Sequence, residues 1–315
     1  MKPSIDVILN LKARHLGEAS ALRADIVAAA LGAGARLHET RSVAELDAIA
    51  REITTRGTDG VVLAGGDGSH MAGLSALARA RPGAELPVVA LAPGGTVCTV
   101  ARNFGMRGDR RRWAERIVRA ACEDSPRVQS RPTLRVRDDA GGDRVGFIFG
   151  TGLVARFFEL YDVAPAQGLV PAAQLAGRIF TGALVGSRLS QRVLEPQTCT
   201  VSVDGVPHPS RKWSLVLASA VRDVGLHFIV TYRAAEEAER FHVVASGLRP
   251  RALAAQAARA LTGRPLRGEP HVDTLARSLA VQLDPEGGAY VLDGDLLRAG
   301  VVEISAGPRV PFVVA

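Results

Sequence analysis

Short apolar runs alternate with amphipathic segments along the chain up to residue 125. The runs at residues 4–9, 61–64 and 87–91 have the length and composition of buried strands. Between the first two runs, apolar residues recur at the spacing of a helix face, first at Leu16, Ala19, Leu22, Ile26 and Ala30, then at Val43, Leu46, Ile49 and Ile53. Strands that alternate with helices in this way predict a parallel α/β sheet.

Two of the predicted strands lead directly into turns rich in glycine. The first turn is Gly65-Gly66-Asp67-Gly68-Ser69, and the second contains Gly94, Gly95 and Thr96. Glycine permits φ > 0 and a close approach of backbone to a bulky anion, and the N–H groups of a following helix point at phosphates. Two such turns at one sheet edge predict a nucleotide crevice. Either turn alone is also compatible with a simple tight connection, and no Lys follows the glycines as it would in a P-loop.

The pattern changes at Ser125-Pro126 from alternating strands and helices to short strands separated by turns. A hairpin is predicted over residues 133–149, a helical and loop-like region over 152–193, and a helix over 250–261. Further strands are predicted at residues 198–203, 213–218, 226–232, 241–245, 289–292, 301–304 and 310–314. This pattern favours an antiparallel β-sandwich. We therefore predict an α/β domain over residues 1–126 and a β-sandwich domain over 127–299, with the strands of 300–315 as candidates to return to the first domain.

The apolar segment at residues 168–185 has two interpretations. It covers the core of the sandwich, or its Arg-flanked part from Arg178 to Arg188 forms the mouth of a dry cleft for acyl chains. Apolar content alone does not reveal a cavity, so the pattern favours the core.

The composition is informative mainly about the charge of the protein and hence about its possible partners. The chain has 315 residues, 47% hydrophobic content and 23% charged residues, which describes a globular protein with substantial cores. The net charge is +7, and nearly all positive charge is Arg because Lys occurs only at positions 2, 12 and 212. The excess of arginine has two interpretations. One is a genome whose codon usage favours Arg, and the other is a protein face that binds anionic lipid. With 4% aromatics and no basic run between stacking residues, nucleic acid is not an expected partner. The run Arg110-Arg111-Arg112 is expected on a solvated helix face.

Cysteine spacing and apolar run lengths point to a cytoplasmic protein. Cys98, Cys122 and Cys199 show no paired spacing, which suits a reducing compartment without a disulfide frame or a zinc site. The first apolar run is too short for a signal sequence, and no run reaches the roughly 18 apolar residues of a membrane span. Any membrane contact is therefore expected to be peripheral, at the inner face.

The motifs resemble those of the diacylglycerol-kinase-type lipid kinases, a family that includes sphingosine and ceramide kinases and bacterial relatives. Residues 65–69 are similar to the family's GGDGT, and residues 91–104 to its PxGTxNDxAR segment. Asp293-Gly294-Asp295 is similar to the late DGE motif, and Asn10 lies where the family has the Asn of its N-P-x-S-G turn. The resemblance implies a Rossmann-like nucleotide-binding domain, a β-sandwich lipid domain and an active-site cleft between them.

The resemblance also implies roles for individual residues. The nucleotide-binding residues would be Asn10, Thr40, Gly65, Gly66, Gly68, Ser69, Gly95 and Thr96. Catalytic roles fall to Asp67, which would orient a metal or a substrate hydroxyl, and to Asp293 and Asp295. Asp295 replaces the Glu proposed as general base and is one methylene shorter. Thr40 has the alternative of supporting the cap at Ser42, and a lone Asp-Gly-Asp is usually a turn.

Other positions depart from the family pattern. Met71 and Ala72 stand where Asn and Glu are common, and Cys98-Thr99 replaces an Asn-Asp pair. We expect His70 to be a surface or capping residue rather than one over the nucleotide, and Cys98 to be a small packed residue. Residues 232–240 lack the Asp-Gly pair of the family's structural metal site, so that ion is not predicted and the metal ligands stay unknown.

The resulting hypothesis is an ATP- and Mg²⁺-dependent kinase that phosphorylates a lipid hydroxyl, as in diacylglycerol, ceramide or a sphingoid base. Its expected partners are the membrane lipid and an anionic membrane surface, and a homodimer is left open. One alternative is an NAD-kinase-like enzyme, which shares the GGDG turn but needs a segment rich in Asn, Asp and Glu that residues 120–190 do not offer. The other is a lipid- or nucleotide-binding protein whose active site has decayed.

Overall fold

The computed structural model describes residues 3–166, 168–284 and 287–314. The chain divides into two compact units. The first comprises Met1–Thr133 and Pro308–Ala315, and the second comprises Leu134–Gly307. The second unit is therefore inserted into the first.

The first unit consists of alternating strands and helices, as the pattern predicts. They are β1 (Ile5–Asn10), α1 (Ala21–Ala33), β2 (Arg36–Thr40), α2 (Val43–Arg56), β3 (Gly60–Gly65), α3 (Asp67–Ala80), β4 (Val88–Pro93), α4 (Thr99–Asn103), α5 (Arg110–Ala121) and β5 (Val128–Arg131). Helix α2 begins where Ser42 accepts a hydrogen bond from the N–H of Glu45, 3.2 Å away. Leu16 and Ala19 precede α1, because Ser20 caps that helix.

Helices α2 and α3 bury Ile53 and Leu74, and another core of the first unit lies between its sheet and helices α1 and α5. Strand residues such as Val7, Val62 and Ala90 are buried together with Ile26 of α1 and Trp113 of α5. Helix α5 buries one side and exposes a row of arginines on the other. This packing explains its amphipathic pattern.

The second unit contains many short strands and five helices in the described residues. They are β6 (Leu134–Asp138), β7 (Asp143–Gly146), β8 (Ile148–Gly152), α6 (Leu153–Asp162), α7 (Leu169–Leu184), α8 (Arg188–Leu194), β9 (Gln197–Thr198), β10 (Thr200–Val203), β11 (Val206–Pro207), β12 (Lys212–Trp213), β13 (Leu215–Ser219), β14 (Phe241–Ser246), α9 (Pro250–Ala254), α10 (Ala257–Leu261), β15 (His271–Ala276), β16 (Ser278–Gln282), β17 (Gly288–Leu292), β18 (Asp295–Ala299) and β19 (Val301–Ala306).

Two six-stranded antiparallel sheets form this unit. Their strand orders are β11-β10-β16-β19-β6-β7 and β15-β14-β13-β8-β17-β18, and β9 pairs separately with β12. The hydroxyl of Tyr290 on β17 donates to Asp138 on β6 and so connects the two sheets. Helices α6 to α8 pack together with α9, around Ile179 and Leu194.

The strand predicted at residues 226–232 is wrong. These residues form turns, and Leu226 and His227 have φ values of 53° and 61°, which no strand adopts. The apolar side chains of the segment are instead packed against β13 and β14, where Val230 is buried with Leu215 and Val244. Burial without strand pairing explains the apolar run.

A last strand, β20 (Val310–Val313), belongs to the first unit. It lies between β4 and β5 in the order β2-β1-β3-β4-β20-β5, parallel to β4 and antiparallel to β5. The first unit thus extends past the predicted boundary at residue 126, because β5 needs β20 as its partner. Within 300–315 only β20 joins this sheet, since β19 pairs with β16 and β6.

Among the described residues, no single helix has both the length and the apolar character needed to cross a bilayer. Helices α7 and α8 pass that test only as a pair, and they are bent by 102° at the break between them.

Candidate nucleotide-binding site

The carboxyl ends of β1, β2 and β3 meet at one edge of the first sheet. Strand β1 lies between β2 and β3, and the chain proceeds from β1 to β2 on one side and from β3 to β4 on the other. The ends of β1 and β3 therefore flank a topological switch point, where open parallel sheets bind their ligands. Asn10, Thr40 and Gly65 are the last residues of these three strands.

Polar side chains at this edge are held in defined orientations. The Asn10 amide donates to Ser69 Oγ at 2.8 Å, which bridges β1 and the start of α3. Its oxygen accepts from the N–H of Lys12 at 2.9 Å. Thr40 is buried, and its hydroxyl donates to the carbonyl of Leu9 at 3.2 Å, so it does not support the cap at Ser42.

A pocket of about 190 Å³ opens beside these residues. Asn10, Thr40 and Ser69 line it together with Lys12 and Arg41, and its other lining residues are Ile8, Ser42, Val43, Leu46, Leu63, Ala64 and Ala72. It thus combines an apolar wall with a few polar groups and two cationic side chains, a composition typical of small-molecule sites. Three of the nucleotide-binding residues implied by the resemblance meet here.

The two glycine turns pack backbone against backbone. The N–H of Gly94 donates to the carbonyl of Gly65 at 2.6 Å. A Cβ on Gly66 would lie 3.2 Å from the Cα of Gly95, and a Cβ on Gly95 would collide with the Cα of Gly66. None of these residues has a positive φ. The expectation of left-handed backbone is therefore wrong here, and glycine is needed because the turns touch.

Asp67 connects the first glycine turn to the helix after the second one through hydrogen bonds. Its carboxylate accepts from the N–H groups of Thr99 at 2.8 Å and Val100 at 3.0 Å, the first two residues of α4. Burial raises the pKa of Asp67, while nearby His70 and the two N–H donors act in the opposite direction. Asp67, to which the resemblance gives a catalytic role, therefore stabilises the structure of the site.

His70 and Cys98 are both buried behind the turns. The expectation that His70 lies at the surface or caps the helix is wrong, because α3 packs its first turn inward and His70 Nε2 lies 3.3 Å from the carbonyl of Ala92. Burial lowers the pKa of His70, which favours the neutral form of its ring. Burial also raises the pKa of the Cys98 thiol to about 11, which makes it unreactive at neutral pH.

Two cationic residues near the turns were not among the predicted site residues. Arg110, expected on a solvated face, donates from Nη2 to the carbonyl of Thr96 at 3.2 Å, whereas Arg111 pairs with Asp25 at the surface. Lys12 reaches the pocket from the loop after β1. The signal for Lys12 was its place two residues after Asn10 in a chain with very few lysines.

Gly68 lies in the first turn of α3, and Asp293 and Asp295 lie in the second unit. Asp293 and Gly294 form the two-residue turn between β17 and β18, with φ values of 48° and 95°. The Asp293 carboxylate is buried and accepts from the N–H groups of Phe147 and Ile148, each at 2.9 Å, where the chain passes from β7 to β8. Asp295 begins β18 and is exposed.

Within residues 3–166, 168–284 and 287–314, no group of three or more His, Cys, Asp or Glu side chains is arranged to hold a metal ion. A Mg²⁺ ion that arrives with a nucleotide needs only one or two protein carboxylates, because phosphates and water supply its other ligands. Asp67 keeps lone pairs besides those used for its two N–H bonds. The donor set therefore fits a nucleotide-borne ion better than a dedicated cage.

Comparison with known proteins finds one matching family and several similar structures. Residues 5–126 match the model of the family described as the diacylglycerol kinase catalytic domain. Similar solved structures include two from Bacillus anthracis strain Sterne, described as diacylglycerol kinases, one of them provisionally. Each is 15% identical to this chain and covers all of it, with TM-scores of 0.75 and 0.65 over 98% and 97% of the respective structures. This likeness shows a shared fold.

No curated protein matches the sequence at a significant level. The family match covers both glycine turns and the strands that carry them. Residues 5–126 are therefore similar to the catalytic domain of the diacylglycerol kinase family, the family that the motifs resemble.

Proposed function

We propose that this protein is an ATP-dependent lipid kinase that transfers the γ-phosphate to a lipid hydroxyl. The observation that carries the proposal is the convergence of Asn10, Thr40 and Ser69 on one pocket beside the paired glycine turns. The family match over residues 5–126 supports the same activity. The acceptor is the hydroxyl of diacylglycerol, ceramide or a sphingoid base.

In this proposal the nucleoside occupies the pocket and the phosphates lie over the turns. The apolar wall, with Val43 and Leu46, suits a base, and the side chains of Lys12 and Arg41 offset phosphate charge. The N–H groups in the first turn of α3 face the same edge and attract anions. Phosphoryl transfer requires little covalent chemistry beyond this positioning and charge neutralisation. Mg²⁺, carried by the nucleotide, supplies part of that neutralisation.

We propose Asp295 as the general base that accepts the proton of the lipid hydroxyl. Asp67 and Asp293 hold backbone N–H groups through both carboxylate oxygens, whereas Asp295 is exposed. A base has to reach the hydroxyl within about 2.6–3.2 Å or through one water molecule. Asp293 then positions Asp295 by fixing the turn, and Asp67 positions the phosphate-binding turns.

The natural substrate would be presented at a membrane. A cytoplasmic protein that binds the inner face peripherally, as a monomer or homodimer, would reach such a lipid. The net charge of +7 supports contact with an anionic surface.

The test is transfer of labelled γ-phosphate from ATP into the organic phase, with the purified protein and a panel of lipids. We expect one lipid class to be labelled. Asp295→Asn should lower the rate by about 10²-fold or more while ATP binding persists, because only proton transfer is removed. Glu303→Gln, which removes an exposed carboxylate on β19, is the matched control and should keep full activity.

Three outcomes would contradict the proposal. Labelled NADP from added NAD would identify an NAD kinase. ATP binding without transfer to any lipid would identify a binding protein with a decayed site. Full lipid phosphorylation by Asp295→Asn would reject the assignment of the base.

A further inference from the structure

The stretch from residue 163 to residue 194 has an unusual charge pattern. It contains three arginines, Arg178, Arg188 and Arg192, and no lysine or acidic residue. It includes helices α7 and α8, which form part of the core of the second unit. The remainder of the chain carries all the Asp and Glu, so this stretch has a single sign of charge.

Helix α7 carries exposed apolar residues at both ends of its outer side, although only its inner side has a partner within the unit. Ala172, Ala176, Ile179 and Ala183 face inward and are buried. At about 100° per residue, the opposite side presents Val170, Gln174, Gly177, Thr181 and Leu184, followed by Val185 at the helix end. Val170 is 66% exposed and Val185 is 85% exposed. Packing of the core explains the inner face but not the outer one.

The three arginines are available for an external ligand. All three are exposed, and in the part of the chain that the structure describes none of their side chains forms a hydrogen bond or an ion pair. Arg188 and Arg192 are four residues apart on α8 and therefore point to the same side of that helix. Arginines next to exposed valines and a leucine are the composition of helices that lie in a membrane interface.

We propose that the outer face of α7 and the arginines of α8 form a docking surface for an anionic phospholipid bilayer. We define it by Val170, Leu184 and Val185, which enter the acyl boundary, and by Arg178, Arg188 and Arg192, which contact the lipid phosphates. A second copy of the chain fits less well, because a symmetric contact would bring arginines against arginines without an acidic partner. This inference rests on the proposed function in one respect: the docking surface would bring the enzyme to its lipid substrate.

Sedimentation with vesicles tests the docking surface without any kinase assay. The wild-type protein should bind vesicles of phosphatidylglycerol and phosphatidylcholine and bind pure phosphatidylcholine weakly. The variant Val170→Glu/Val185→Glu should lose binding by on the order of tenfold or more, since it places two carboxylates at the boundary. The matched control is Leu31→Glu/Val206→Glu, which changes two residues that are 61% and 70% exposed elsewhere and adds the same charge. It should bind like the wild type.

A second pair of variants tests the arginines against the other basic face of the protein. Arg188→Gln/Arg192→Gln should weaken binding on the order of tenfold, whereas Arg112→Gln/Arg127→Gln, in a groove beside α5, should leave it unchanged. The reverse result would move the membrane contact to α5 and overturn the proposal. Equal binding of neutral and anionic vesicles, or full binding by Val170→Glu/Val185→Glu, would overturn it as well.

Two further readouts distinguish membrane docking from a dimer contact and from catalysis. If light scattering shows a dimer that Val170→Glu/Val185→Glu dissociates, while vesicle binding persists, then a second copy covers this face and the docking surface is rejected. Wild-type protein that binds vesicles but phosphorylates no lipid would reject the kinase and leave the docking surface standing. Phosphorylation of a short-chain, water-soluble acceptor without vesicle binding would reject the docking surface alone.

Discussion

At the scale of single residues, a buried carboxylate stabilises this protein at the end of β1 opposite to Asn10. Asp6 on β1 is fully buried, with Oδ1 2.8 Å from His38 Nε2 and 2.6 Å from Arg56 Nη2. Arg36 lies 3.2 Å from the same oxygen. Burial alone would raise the pKa of Asp6, but the hydrogen bonds from His38, Arg36 and Arg56 outweigh it and keep that pKa well below its ordinary value.

We therefore predict that Asp6 makes the protein sensitive to acid. The unfolded chain binds a proton at this group near pH 3.9, and the folded chain does so only at lower pH. Its contribution is complete above about pH 4 and is lost as the pH falls below that value. Asp6→Asn should lower the free energy of unfolding by about 2 kcal/mol at pH 7, because His38, Arg36 and Arg56 lose their anion.

Urea unfolding at a series of pH values measures this effect. The variant should lose less of its remaining stability below about pH 4 than the wild type does. Asp124→Asn, at an exposed position before β5, is the control and should follow the wild type. Parallel stability curves for Asp6→Asn and the wild type would contradict the prediction.

Sequence reasoning recognised Asp67 and Asp293 as important but not their contacts. A motif shows that a carboxylate is present, whereas its donors come from residues far along the chain: Thr99 for Asp67, and Phe147 for Asp293. The burial of His70 could not be predicted for the same reason, since only tertiary packing places it beside Ala92 of β4. Asn10 and Ser69 were assigned from the resemblance, and the structure brings them into contact.

At the scale of elements, the local sequence pattern predicts secondary structure correctly where an element depends mainly on its own residues. The strand, glycine turn and helix at residues 61–80 could be predicted because periodicity and turn chemistry agree there. The segment 226–232 could not, because its apolar residues fill a space made by β13, β14 and α10. The sequence also could not show why Gly66 and Gly95 have to be glycine, because the reason is a contact between the two turns that carry them.

The contact between the turns leads to a prediction for Gly95. Gly95→Ala should lower both stability and ATP affinity, because its methyl group would displace the backbone at Gly66. The control is Gly32→Ala within α1, where nothing lies within 4 Å of the new methyl group. That change should raise stability by about 0.5–1 kcal/mol through helix propensity. Thermal unfolding and ATP titration of both variants check the pair, and a Gly95→Ala protein as stable as the wild type would contradict the packing argument.

At the scale of the whole molecule, the end of the chain completes the sheet that its beginning starts. Strand β20 lies between β4 and β5, and its Phe312 is buried with its ring 4.7 Å from that of Phe104. Thr133 Oγ1 donates to the carbonyl of Pro308 at 2.6 Å, so the chain leaves and re-enters the first unit at one place. The boundary could not be read from sequence because these residues are 175 positions apart.

This topology predicts that the first unit folds without the second but not without β20. A protein in which a short glycine linker joins Thr133 to Pro308 should fold, with cooperative unfolding and native-like circular dichroism. Residues 1–133 alone should not, because β4 and β5 lack the strand between them. A cooperatively folded 1–133 fragment would contradict the prediction.

The late position of β20 also has a consequence for synthesis on the ribosome. Proteins usually fold from the N-terminus as the chain emerges, yet here the first sheet keeps an unfilled gap until residue 313 has been translated. For that interval the apolar edge of β4 is exposed to other chains, which favours aggregation. Chaperone occupancy on the nascent polypeptide should therefore persist until β20 has left the ribosome.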